Sequence, residues 1–218
     1  MKPKQVSSEL TALKALSIVI LLLFWLTGLI IFLNKAQASI PISPGLLLHS
    51  SSLLMLLLLV RVFNGKWEED LSISSFQFHF IILAIFFGLA FWKVQQFVSV
   101  LIYPDVWEQD ARLWQEAQNG FNLSTVFIAS CLVGPVFEEL LFRGLIYNHL
   151  NKKTGTIWAM LISSALFTLL HWNMSEALWL FSAGVIYAIL REKSGSIWPP
   201  VIAHIIQNVL TFWLYVSI

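Results

Sequence analysis

The stretch Leu16–Leu33 reads LSIVILLLFWLTGLIIFL and contains no charged side chain. At about 1.5 Å per residue it makes roughly 27 Å of helix, close to the ~30 Å hydrocarbon core of a bilayer. A run of that length and polarity sets the solvent of the fold as lipid. Six further apolar stretches follow it: Leu46–Val60, Phe76–Trp92 with an extension to Tyr103, Phe121–Phe137, Thr156–His171, Ala177–Leu190 and Ile197–Ile218. The second and sixth of the seven fall short of the roughly 17–25 residues a spanning helix needs. None alternates polar and apolar residues over ten-residue windows, which argues against a membrane barrel. The expected fold is all-α, a polytopic transmembrane helical bundle of about seven spans.

The whole chain agrees with this local reading. Of 218 residues, 58% are hydrophobic and 11% charged, against about 45–50% and 25% in soluble domains. So few charges cannot cover so much apolar surface in water. An ordinary soluble enzyme, a disordered chain and a secreted disulfide scaffold are excluded. A net charge of +1 gives no reason to expect nucleic acid. Cys131 is the single cysteine, so neither an internal disulfide nor a multi-thiolate metal site can form.

Lys2, Lys4 and Lys14 give a basic start, and Ala36-Gln37-Ala38 resembles a cleavage site. The apolar run exceeds the about 7–15 residues of a signal-peptide core, so a retained first helix is expected. With the N-terminus in the cytoplasm and seven alternating spans, the inner side holds Lys2, Lys4, Lys14, Arg61, Lys66, Arg143, Lys152, Lys153, Arg191 and Lys193. The outer side holds Lys35, Lys93 and Arg112, ten cations against three. Such asymmetry is the positive-inside bias. The outer loop Lys93–Gly120, with Trp107 and Trp114, reads as an amphipathic connector that could lie on the bilayer.

Ionisable groups inside spans are costly and by default mark function. Glu138, Glu139 and Arg143 sit in GPVFEELLFRG, His171 in FTLLHW, and His204 with Asn208 in VIAHIIQN. His49 and His79 lie near stretch ends and read as interfacial. His149, beside Lys152, reads as a histidine at a helix C-terminus, where the macrodipole favours it. Glu139 and Arg143 are i,i+4 and can pair on one helix face, which turns Glu138 about 100° away. His204 and Asn208 are also i,i+4. Counted from a hairpin tip near Lys153, Glu138 and His171 come to matching depth, roughly 22–27 Å from the tip.

A carboxylate in an apolar pocket can act as a general base. A nearby imidazole can hold the water it activates, and a His–Asn pair can donate to a developing oxyanion. That set suffices for amide hydrolysis. No Gly-x-Ser-x-Gly elbow and no His-Glu-x-x-His occurs. A zinc site built from Glu138, His171 and His204 is a second reading of the same residues. A third treats the polar groups as packing glue in a membrane partner, immunity or scaffold protein that cleaves nothing.

The three motifs in order resemble the CPBP family of CAAX prenyl protease and bacteriocin-processing intramembrane endopeptidases. Glu-Glu-x-x-x-Arg matches Glu138, Glu139 and Arg143, followed by Gly144; Phe-x-x-x-His matches Phe167 and His171; His-x-x-x-Asn matches His204 and Asn208. Gly184, Arg191, Gly195, Ser196, Trp198 and Pro199 resemble the family's spacer. The resemblance implies an intramembrane endopeptidase with Glu138 as base, His171 on the water, and His204 and Asn208 as the oxyanion hole. It implies supporting roles for Glu139, Arg143 and Phe167. It divides the continuous membrane domain into N-terminal helices with an external loop, 1–120, and a catalytic helical core, 121–218. The expected partners are a peptide or membrane-protein substrate and the bilayer. No cofactor is expected on the glutamate reading, and zinc on the alternative.

Overall fold

The computed structural model describes residues 11–36, 43–102, 112, 114–116, 119–171 and 175–217. Seven long helices are found among them: α1 Ala12–Ala36, α2 Pro44–Val62, α3 His79–Ile102, α4 Leu123–Thr154, α5 Thr156–Leu170, α6 Ala177–Ser194 and α7 Trp198–Ser217. Each expected apolar stretch lies on one of them, and the chain is a polytopic all-α bundle. Five helices, α1, α2, α3, α4 and α7, are long and apolar enough to cross a membrane. The other two, one of them on the short sixth stretch, fall outside that group, where about seven spans were expected. α5 has 15 residues, and α6 ends in Arg191, Glu192 and Lys193. The second stretch, short by sequence, starts earlier, at Pro44, because proline fits the first helical turn.

Local chemistry places the ends. The Asn122 side chain accepts from the Ser124 N–H at 2.9 Å and starts α4. Gly195 takes the left-handed conformation (φ +67°) that terminates α6. α4 is a single rod of 32 residues, but it is not uniformly α-helical. Ile128–Val133 and Leu140–Ile146 are wound as π-helix. The α-helical turn between them, Gly134–Glu139, carries both glutamates.

Two apolar clusters hold the bundle. Ile18 and Leu22 of α1 and Leu56 and Val60 of α2 pack with Leu140, Leu145 and Phe167. Ala84 of α3, Ala183 and Tyr187 of α6 and Ala203 of α7 form the second. Gly88 allows α3 to lie directly on α7: a Cβ there would stand 2.9 Å from the Ala203 carbonyl oxygen. Phe24, Phe86 and Phe97 point outward, as side chains facing lipid should. The segment Lys66–Ser75 straps one end of the bundle. Ile197 N–H donates to the Ser72 carbonyl at 3.0 Å, and Asn148 Nδ2 donates to Ser72 Oγ at 2.8 Å. The external-loop residue Trp107 lies outside the described residues. Trp114 is described, packed on Phe212 and Tyr215 at the opposite end.

Candidate active site

Glu138 and Glu139 sit near the middle of α4, and their side chains diverge as consecutive helical residues must. Glu139 turns into protein. Its side chain is 0% exposed, and Oε1 accepts from Arg143 Nη1 at 3.0 Å. The same oxygen meets His204 Nδ1 at 3.1 Å. Glu138 turns the other way, to the wall of a cavity of about 1000 Å³. Its Oε2 lies 3.9 Å from His171 Nε2 and 3.7 Å from His204 Nε2. Three separate helices, α4, α5 and α7, thus bring a carboxylate and two imidazoles together.

Backbone and ring contacts fix both imidazoles. His171 Nδ1 lies 2.8 Å from the Phe167 carbonyl oxygen. A carbonyl only accepts, so Nδ1 carries the proton and, in the neutral ring, Nε2 offers its lone pair to the Glu138 side. His204 stacks on Tyr187 with centroids 4.9 Å apart and planes at 22°. Phe167 forms the floor: its ring lies 4.5 Å from that of His171 and 5.9 Å from that of His204. The Arg143 guanidinium sits 4.5 Å from the Phe167 centroid, a cation–π contact. Gly184 makes room for it, since a Cβ there would stand 2.9 Å from Arg143 Nη2 and from Ser164 Cβ.

Asn208 lies one turn along α7 from His204. Its Nδ2 donates to the Ser130 carbonyl at 2.8 Å. Ser130 lies within the first π-helical segment, so this side chain ties a released carbonyl of α4 to α7. Asn208 also lines the cavity, and its amide keeps a second N–H. Sequence reasoning did not find this link, because nothing local in IASCLV marks a π segment. It also read His49 as interfacial, whereas His49 lines the cavity. The His49 ring packs beside Gly134, where an added Cβ would meet Nε2 at 3.5 Å. The signal that could have found Gln95, another wall residue, was an amide within an otherwise apolar span.

The zinc reading needs three ligands converging on one point. Among the described residues, no three His, Cys, Asp or Glu side chains are grouped so as to hold an ion.

A family model described as type II CAAX prenyl endopeptidase Rce1-like matches residues 120–210. The putative membrane peptidase YdiL of Bacillus subtilis (strain 168) is 40% identical over 53 residues, covering 24% of this chain. That match spans 22% of the relative's length. No solved structure matches. Residues 120–210, which hold all three motifs, are thus similar to CAAX prenyl endopeptidase-like membrane proteins.

Proposed function

We propose that the chain is an intramembrane endopeptidase in which Glu138 activates a water to hydrolyse a peptide bond. The observation that carries this is a part-buried carboxylate at the cavity wall, with imidazole nitrogens at 3.9 and 3.7 Å. A gap of 3.9 Å is bridged by one water making two hydrogen bonds of about 2.8 Å, with an angle near 90° at its oxygen. The water donates one proton toward Glu138 and the other toward the His171 lone pair. Its oxygen bonds to the scissile carbonyl carbon as Glu138 takes the proton. The C–N bond then breaks, and that proton passes to the leaving amine.

The oxyanion is the part His204 and Asn208 serve. His204 Nδ1 is held by Glu139 at 3.1 Å, which turns Nε2 to the Glu138 side, where an N–H would donate to the oxyanion. Asn208 adds its second N–H. No step above uses a metal ion. The substrate class that this chemistry fits is a peptide or membrane protein presented within the bilayer.

The test is cleavage of a peptide library by detergent-purified full-length protein, wild type against Glu138→Gln, with and without a strong chelator. The expected result is chelator-resistant cleavage by the wild type and none by the variant, because an amide cannot accept the proton. Chelator-sensitive activity restored by zinc would reassign Glu138, His171 and His204 as ligands.

A further inference from the structure

The cavity extends well past the reacting carboxylate, and its two walls differ in chemistry. On α7, the polar residues His204, Gln207, Asn208, Thr211 and Tyr215 line it, with Phe212 beside them. Their spacing, i, i+3, i+4, i+7 and i+11, is one continuous helical face. Gln95 of α3 adjoins this face: Gln207 Nε2 donates to Gln95 Oε1 at 3.2 Å, and Tyr187 donates to Gln207 Oε1 at 2.5 Å. On the α1 side, the lining is Leu23, Leu26, Thr27 and Ile30, and the Thr27 hydroxyl is spent on the Leu23 carbonyl of its own helix at 2.8 Å. A polar ladder thus faces an apolar wall, at membrane depth.

Several groups of the ladder lack partners among the described residues. These are the Gln95 amide nitrogen, the Thr211 hydroxyl, and the Asn208 carbonyl and second N–H. Unpaired amides and hydroxyls inside a span are costly unless something else satisfies them. An extended polypeptide has the same difficulty in lipid: its backbone N–H and C=O groups have no partners. The two sets of unmet hydrogen bonds complement each other, and apolar side chains of such a peptide would meet α1.

Resting on the endopeptidase reading, we infer that this half of the cavity binds an extended apolar segment of the substrate, backbone on the α7 ladder and side chains on α1. Length follows from geometry. From His204 to Tyr215 the helix rises about 16 Å, which an extended strand covers in about five residues. The substrate therefore reaches about five residues to one side of the cut bond, within an unwound apolar stretch.

The test uses full-length Glu138→Gln protein in lipid nanodiscs and fluorescent synthetic apolar peptides of three, six and nine residues. Affinity is expected to rise about tenfold from three to six residues and little from six to nine, as a few hydrogen bonds are added and the ladder fills. Gln95→Leu and Thr211→Val, made separately in that background, are each expected to shrink this gain to below about threefold. The gain is a ratio within one protein, so partial loss of folded material does not mimic the effect. Affinity independent of length, or a gain untouched by both substitutions, overturns the inference. Failure of the hydrolysis reading is distinct: wild-type protein would then leave the bound peptides uncut while the length dependence persists.

Discussion

Arg143 and Glu139 are both fully buried and paired at 3.0 Å. Two charges withdrawn from solvent are held by each other, by His204 on the carboxylate and by the Phe167 ring beneath the guanidinium. Arg143 Nε and Nη2 and Glu139 Oε2 lack hydrogen-bond partners among the described residues, so the remaining contacts must compensate. Removing one charge leaves the other stranded. Glu139→Gln is therefore expected to destabilise the protein by about 3–5 kcal/mol, read as a lower thermal midpoint in detergent. Full thermal stability with lost turnover would instead place Glu139 in the chemistry. Asn208→Ala has a different signature. On the proposed mechanism it removes an oxyanion donor, typically about 10²–10³ in rate, and it also frees the Ser130 carbonyl, at about 1 kcal/mol. Steady-state kinetics beside a melting curve is expected to show a large fall in kcat with a small shift in midpoint.

At the scale of the element, close helix contact rests on glycine. Gly88→Ala would push a methyl to 2.9 Å from the Ala203 carbonyl. Neither backbone can yield without parting α3 from α7, the helix that carries His204. The expected cost is about 1–3 kcal/mol of overpacking, with a drop in kcat as His204 moves. A variant matching the wild type in melting and turnover would mean that these helices are not tightly docked. The helices themselves were legible in the sequence, because an apolar run of spanning length has few other uses. The grouping of Glu138, His171 and His204 was also legible, since i,i+4 spacing and matching depth follow from helix geometry alone. What was not legible depends on contacts between distant segments. The π winding around Gly134–Glu139 depends on what α4 packs against, including Asn208. His49 joins the cavity only because α2 lies along α4, and no motif near His49 announces that. Arg143 illustrates the converse error: its charge was counted with the inner loops, yet it is buried beside Glu139 and carries no weight in orienting the chain.

At the scale of the molecule, the remaining basic residues can be placed by contact. Lys14 Nζ reaches the Phe63 carbonyl at 3.1 Å, which sets the start of α1 beside the end of α2. Ser72 is bonded by Asn148 near the end of α4 and by Arg191 near the end of α6. Ser74 donates to the Gly195 carbonyl at 2.9 Å. Lys14, Arg61, Lys66, Lys152, Lys153, Arg191 and Lys193 therefore gather at one end of the bundle. At the other end, Ser43 N–H donates to Thr125 Oγ1 at 3.4 Å and Gln115 to the Tyr215 carbonyl at 2.5 Å. Seven described cations at one end are a strong topogenic signal, since positive loops are retained in the cytoplasm. The expected topology has that end inside. Reporter fusions after Lys66 and Lys153 should read cytoplasmic, and a fusion after Gln115 should read external. The same experiment bears on the two short helices. α5 and α6 join Lys153 to Gly195, which the strap holds at the same end, so together they form a paired excursion. A reporter placed after Ser175 reads external if both cross, and cytoplasmic or protected if the pair re-enters without crossing. External reporters after both Lys66 and Lys153 would invert the bundle, and the cavity's α7 ladder would then run toward the cytoplasm instead of away from it.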